Sequence, residues 1–461
     1  MKIGLLDHMG YGNLGDAATQ DALIANIKAR VPGANIVAFS LNPDDTRRRH
    51  NIPCYSITHW HPGLHKEGKE GTVVRNPRSR LQSILKNIPV FYALVLWILN
   101  LVRELMHLGR SFRVLRTLDT LIIAGGGQLC ELWRGPWSHP YNVFKFSFLT
   151  KLANRKLLFV NVGAGPVNSL LSRVFVRCSV ALADYVSFRD VESQRLVKRL
   201  GVGRQTHVFA DSVYALDISD YDLGSAVMAR PRIGLNPIGF CDPRIWPKQD
   251  VDTYSRYLDK LAAFSLWLLN QNYSVRIFSG EESVDVYALK DLKERLQSRL
   301  SPTDATEMFA PTSESVRDLL VEMSRFDFVV TSKFHGVVFS HLLEKPCIAL
   351  SYHNKIDDLM RVVGQSEYCL NIETFDEEHL KGAFRKVLGD AEVVRAKCRQ
   401  TAGSYSDALK DQFDELFLPE NLQSRPDELE LRTERDGVIL GGSSNEQECA
   451  ASECAARRIG K

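Results

Sequence analysis

Apolar residues along the chain gather in short unbroken runs, with stretches of helical spacing between them. Residues 3–7 are the first such run and read as a buried strand. Gly10 to Gly15 follows as a glycine-rich turn. From about Asp16 to Arg30, Leu23, Ile24, Ile27 and Val31 share one helical face, which Pro32-Gly33 ends. Asn35 to Ser40 is the next strand, and this order predicts a Rossmann-like opening. Leu121–Ala124, Leu157–Val162, Tyr185–Phe188 and Val208–Ala210 continue the strand series, with helices from about Ser169 to Ala183 and Glu192 to Leu200. Asp217 to Pro231 is polar, lacks periodicity and reads as a linker. A second alternating set follows, with strands at Ile233–Asn236, Ser274–Phe278, Phe328–Thr331 and Cys347–Tyr352. Helices lie between them at Thr253–Asn270, Val284–Leu300 and Ser313–Met323. Two more, near 378–388 and 390–418, finish the fold, one of them a candidate for crossing back to the first half.

The expected fold is therefore α/β with two Rossmann-like domains, at 1–216 and 232–418, joined by the linker 217–231. The first domain carries an insert at 44–116. Residues 419–461 are polar, bear Gly and Ser, lack apolar periodicity and read as a disordered tail.

Two parts of the insert stand out. Residues 44–75 look irregular, and His50, Cys54, His59, His61 and His65 crowd into them. An HxHxxxH spacing suits zinc, but Pro53, Pro62 and Gly63 make the stretch a loop, and no second ligand set answers it, so no metal is expected. Ile88 to Leu99 is apolar throughout. Arg75, Arg78, Arg80 and Lys86 precede it, and Arg103, Arg110, Arg113 and Arg116 follow. The run is shorter than the roughly 18 residues a membrane span needs. It reads either as a buried core helix or as a helix lying in the interface of an anionic membrane.

Composition narrows the field. Net charge is +3, from 58 basic and 55 acidic residues, which excludes a strongly basic nucleic-acid binder. The 9 cysteines form no CxxC pair, and several lie in apolar runs, which fits reduced thiols in the cytoplasm. The N-terminal run is too short for a signal peptide and is interrupted by Asp7.

The stretch Asp327 to Lys355 carries the most chemistry. A strand breaks at Ser332-Lys333-Phe334-His335-Gly336, a helix follows, Pro346 stops it, and a second strand leads to Lys355. In parallel sheets, ligands bind at loops leaving the carboxyl ends of strands. Lys333, His335 and Lys355 all lie in such loops. Two cations and a titratable imidazole suit an anionic substrate that needs a proton, although a lone histidine also serves as a packing or capping residue. Arg189 leaves another strand end; it is either an anion ligand or part of a surface cluster with Asp190 and Glu192. Gly125-Gly126-Gly127 allows close backbone approach to a ligand, or is a plain turn. Asp16 is either a helix cap or a contact to a sugar hydroxyl.

The stretch resembles the C-terminal signature of the polysaccharide pyruvyl transferase family: a small residue, a basic one, an apolar one, His, then Gly opening a helix, followed by a Pro-led strand ending in Ser-Tyr and a Lys. Three further segments agree in order and rough spacing: Gly10-Tyr11-Gly12-Asn13-Leu14-Gly15-Asp16, Ala124-Gly125-Gly126-Gly127-Gln128, and Ser187-Phe188-Arg189-Asp190 with Ser193 and Ala210-Asp211-Ser212. Together they cover roughly residues 1–365. The family's basic position before the His is usually Arg. Lys333 offers a point charge where Arg offers a planar fork.

The resemblance implies a GT-B-like arrangement with the active site in the interdomain cleft, as the two consecutive Rossmann-like halves also suggest. It implies transfer of the enolpyruvyl group of phosphoenolpyruvate to two hydroxyls of a sugar, leaving a cyclic ketal and phosphate. Phosphoenolpyruvate is then a donor substrate, and no cofactor is implied. His335 is the expected general acid. Its cationic neighbours and helix N-terminus disfavour its protonated form, which substrate anions restore. Arg189, Lys333 and Lys355 are expected to bind the anions, and Asn13, Asp16, Gly125, Gly126 and Gly127 the rest of the substrates. Asp16 and Asp211 are the candidates for the base. The acceptor is a sugar of a polysaccharide or a lipid-linked glycan precursor, on the cytoplasmic side, with peripheral contact to the inner face of the membrane through the apolar segment. Two alternatives compete: a GT-B glycosyltransferase using a nucleotide sugar, and a non-catalytic subunit of a glycan-assembly complex.

Overall fold

A computed structural model describes residues 1–6, 10, 12–59, 89–131, 135–224, 230–309 and 313–423. Tyr11, His61, His65, the basic run Arg75 to Lys86, part of the linker, and Cys449 and Cys454 lie outside the described residues.

The first domain runs β1 (Lys2–Leu6), α1 (Leu14–Arg30), β2 (Asn35–Ser40), α2 (Pro43–His50), β3 (Cys54–Ser56), α3 (Pro89–Leu115), β4 (Thr120–Ala124), α4 (His139–Leu152), β5 (Lys156–Val162), α5 (Leu170–Ala181), β6 (Tyr185–Phe188), α6 (Val191–Arg199) and β7 (His207–Val208), then a 3-10 turn at Ser212–Ala215. Its seven strands are all parallel, in the order β3-β2-β1-β4-β5-β6-β7. Strands buried on both faces divide their side chains between two layers, because successive residues point opposite ways. Ile122 and Ala124 of β4 join one core cluster, while Leu121 and Ile123 join the other with Phe146 of α4 and Val176 of α5.

The second domain runs β8 (Arg232–Asn236), α7 (Val251–Asn270), β9 (Ser274–Ile277), α8 (Glu282–Leu296), α9 (Pro302–Met308), α10 (Val316–Ser324), β10 (Phe328–Thr331), α11 (Phe334–Leu342), β11 (Cys347–Ser351), α12 (Asn354–Val362), β12 (Cys369–Asn371) and α13 (Glu377–Gly389). Its five strands are also parallel, in the order β12-β11-β10-β8-β9. The long α14 (Ala391–Leu416) and short α15 (Pro419–Gln423) return to the first domain. Gln412 of α14 exchanges hydrogen bonds with Asn161 of β5 at 3.0 and 3.1 Å, and Asp414 pairs with Arg30 at 2.6 Å. One continuous apolar cluster therefore runs from Leu14 and Ile122 through Tyr214 into Phe339 and Phe413.

Three expectations change. The stretch from residue 44 is not irregular at its start: α2 forms there, and β3 closes the sheet edge, so these elements belong to the domain rather than to an insert. The sequence PDDTRRRH has no apolar face to reveal it. The helix is held instead by Asn42 at its N-cap, Asp44 and Asp45 in the first turn, basic residues in the last turn, and the Arg49–Asp45 pair at 3.0 Å. The tail begins later than residue 419, because Leu422 of α15 is fully buried and Thr120 donates to its carbonyl at 2.8 Å. Finally, of the two readings of the apolar helix, the exposed side chains between Leu96 and Met106 set aside the buried core helix. Trp97 is 62% exposed and Leu105 57% exposed.

Candidate active site

The carboxyl ends of the two sheets face each other, and Asn13, Asp16, Arg189, Asp211, Lys333, His335 and Lys355 lie at or beside that meeting. Asn13, not Asp16, caps α1: its Oδ1 accepts from the backbone N–H groups of Gly15 at 2.9 Å and Asp16 at 3.2 Å. The same turn docks on the second domain, where the Leu14 N–H donates to the Gly280 carbonyl at 2.8 Å and Asn13 bridges to Glu281.

His335 of α11 reaches across to this helix start. A Cβ built on Gly15 would lie 2.0 Å from His335 Nδ1, so the imidazole can occupy this position only because residue 15 has no side chain. The other ring nitrogen, Nε2, is buried without a hydrogen-bond partner and stands 3.8 Å from Asp211 Oδ2. Asp211 is almost fully buried, caps the 3-10 turn by accepting from the Val213 N–H at 3.1 Å, and receives Arg189 Nη1 at 3.0 Å. Burial alone raises the Asp211 carboxyl, but His335 and Arg189 outweigh it and hold the group well below the usual carboxylate range. The charge facing the imidazole is thus a fixed carboxylate. The cation-rich setting expected from the sequence is not what His335 meets, because Lys333 is drawn elsewhere.

Lys333 Nζ lies 2.8 Å from Glu281 Oε2 and 2.9 Å from Asp285 Oδ1. Burial disfavours its charge, yet Asp285 and Glu281 overcome that and raise its pKa. The lysine is therefore neutralised by protein carboxylates, and through Glu281 it braces the loop that meets Asn13. Sequence could not show this, because Glu281 and Asp285 lie on another strand-helix unit.

Two other cations do converge. Arg189 is 7% exposed, stacks over the Phe334 ring at 4.5 Å, and keeps its Nε without a hydrogen bond, 4.0 Å from Asp190 Oδ2. Lys355 lies in the first turn of α12, close enough that burial first and Arg189 second push its ammonium down to about 8. Asp16 acts on it in the opposite sense. The Asp16 carboxylate also looks onto the glycine loop, its Oδ1 3.4 Å from where a Cβ on Gly126 would stand. Gly125 and Gly126 have φ of 58° and 49°, left-handed values that favour glycine. Gly127 completes the loop, followed by Gln128, whose Oε1 lies 3.1 Å from His139 Nε2.

One site residue escaped the sequence reading. His353 caps α12, its Nδ1 accepting from the Lys355 N–H at 3.3 Å. Burial first, then Lys355 and Arg189, push it down to about 4, so it is neutral at physiological pH. A histidine two residues before a lysine at a strand end was the available signal. Among the described residues no cluster suits a metal ion, and His59 of the histidine-rich stretch pairs with Glu104 at 2.5 Å.

Solved structures share this architecture. The UDP-GlcNAc 2-epimerase of Methanocaldococcus jannaschii superposes with a TM-score of 0.52 at 12% identity, over 84% of this chain and 92% of that one. S. aureus MnaA, solved with UDP, gives 0.53 at 11% identity, over 92% and 99%. At such identity the likeness establishes the fold, a two-domain GT-B-like arrangement of parallel sheets. Sequence goes further: a model of the polysaccharide pyruvyl transferase family matches residues 13–354, from the cap of α1 to the start of α12, and so takes in the glycine loop, Arg189, Asp211, Lys333 and His335. The chain belongs to the polysaccharide pyruvyl transferase family.

Proposed function

We propose that the protein transfers the pyruvyl group of phosphoenolpyruvate to two hydroxyls of a sugar in a polysaccharide or lipid-linked glycan precursor. The observation that carries this reading is the unpartnered Nε2 of His335, set 3.8 Å from a buried carboxylate at the junction of the two domains and beside Arg189.

The donor carries a carboxylate and a phosphate; Lys355, and Arg189 through the Nε that its bond to Asp211 leaves without a hydrogen bond, are the cations we assign to them. His335, held 3.8 Å from the Asp211 carboxylate, supplies the proton that the reaction needs. His335 gives that proton to the donor's methylene carbon. The sugar's first hydroxyl oxygen bonds to the adjacent carbon and loses its own proton, which restores the imidazolium in balance. The C–O bond to phosphate then breaks, and the second hydroxyl closes the ketal and releases its proton. Asp16, half-exposed opposite the glycine loop, is placed to hold the acceptor hydroxyls.

Two measurements test this. Phosphoenolpyruvate, set beside a panel of nucleotide sugars, should raise the melting temperature of the protein, and Arg189→Ala should abolish the shift. His335→Ala should keep the shift but lose ketal formation by about 100-fold or more, the usual weight of a general acid. A shift with nucleotide sugars alone would replace this reading with glycosyl transfer.

A further inference from the structure

The front half of α3 leaves the body of the first domain. Its rear half is anchored, with Leu108, Phe112 and Leu115 packed into the core. Ahead of that anchor, Trp97, Ile98, Leu101, Val102 and Leu105 are each between 43% and 62% exposed. The helices beside it extend the apolar surface: α3 packs on α4 and α4 on α5, and these carry exposed Phe148, Leu152, Leu170 and Val174. Such a surface is far from an ordinary monomer's scattered apolar residues.

Its charges select what covers it. Between residues 75 and 116 the chain has Arg75, Arg78, Arg80, Lys86, Arg103, Arg110, Arg113 and Arg116, against the single acid Glu104. That acid is turned inward, where Lys145 donates to it at 3.0 Å and Tyr141 at 2.9 Å, and His59 closes its other oxygen. The outward side of α3 is thus apolar and cationic with no opposing carboxylate of its own. At its foot a cavity of about 310 Å³ opens against β2 and β3, with Arg103, His107 and Arg110 on its wall, a size and charge that suit a headgroup phosphate. No described helix is long and apolar enough to cross a membrane.

From these features we infer that α3 docks the enzyme on an anionic lipid bilayer, its apolar residues entering the headgroup boundary and its arginines meeting lipid phosphates. This surface is separate from the reaction proposed above and does not rest on it.

The test is co-sedimentation of the full chain with vesicles of phosphatidylcholine alone or mixed with phosphatidylglycerol. The protein should pellet with the anionic vesicles only, and added salt should release it. Trp97→Glu with Leu101→Glu, and separately Arg110→Glu with Arg113→Glu, should each weaken binding by about tenfold or more. All four side chains are exposed, so the melting temperature should hold; Trp97→Ala serves as a milder variant should it fall. Failure to pellet with anionic vesicles, or pelleting indifferent to the apolar substitutions, would overturn the inference. A stable dimer that those substitutions dissolve would do so too, giving the face to a second copy of the chain.

Discussion

At the scale of single residues, the site is built from charges that cancel in pairs, Lys333 with Glu281 and Asp285 and Arg189 with Asp211, and from Lys355, which meets a like charge. Lys333 is satisfied by Glu281 and Asp285, whereas Lys355 faces Arg189, a like charge, from a half-buried position. A lysine brought down to about 8 is only partly charged in mildly alkaline solution. The sign of the consequence follows from linkage. An anionic donor favours the ammonium form, so binding above about pH 8 must take up a proton, and affinity falls as pH rises through that value. We expect the Kd for phosphoenolpyruvate to climb between pH 7.5 and 9, with proton uptake visible by calorimetry in buffers of differing ionisation enthalpy. Lys355→Arg, whose guanidinium does not titrate there, should flatten the dependence. A pH-independent Kd in the parent enzyme would remove Lys355 from the donor site.

At the scale of elements, the strand–loop–helix–strand unit from β10 to β11 was legible in the sequence almost to the residue. Its strands are apolar on both faces, and Pro346 and the polar loop mark its breaks. The site loops were legible for the same reason: each follows such a strand. What stayed hidden had no periodic signal. The helix α4 is buried on most sides, including Val143, Phe146 and Leu149, so no polar face alternates with an apolar one. The helix α2 is polar all round, and β3 has only 3 residues. The partners of Lys333 were invisible because Glu281 and Asp285, at the start of α8, meet it only in the folded chain. That pairing makes a prediction for the unit as a whole. Asp285 is fully buried, so Asp285→Ala leaves Lys333 with Glu281 alone and should cost about 3 kcal/mol, the lower end for breaking a buried pair. Urea unfolding would read this as a lower midpoint; an unshifted midpoint would mean the triad holds nothing together.

At the scale of the whole molecule, two sheets that look like separate domains in the sequence share one apolar cluster and a return helix. Gln412 is the polar centre of that return. It sits 4% exposed among Asn161, Tyr185 and Ser187, all first-domain residues. Replacing it by leucine keeps the volume but leaves Asn161 without an exchange partner. Gln412→Leu should therefore lower stability by about 1–3 kcal/mol, measured by urea unfolding. A neutral result would mean that packing by Phe413 and Leu416 alone seats α14 on the first domain.

The return helix also fixes how the two bodies can move. The chain passes between them twice, once after the Ser212–Ala215 turn and once along α14, and α14 packs on that same turn. Two attachments side by side act as a pair of door hinges: they define a line and leave one rotation about it, without sliding or twisting. Points near the line travel least. Asp211 immediately precedes the turn, and His335 is its neighbour at 3.8 Å, so any opening about that line would keep the imidazole beside the carboxylate. Any opening would be widest away from that line, and under the proposed reaction the donor would meet His335 already set beside Asp211.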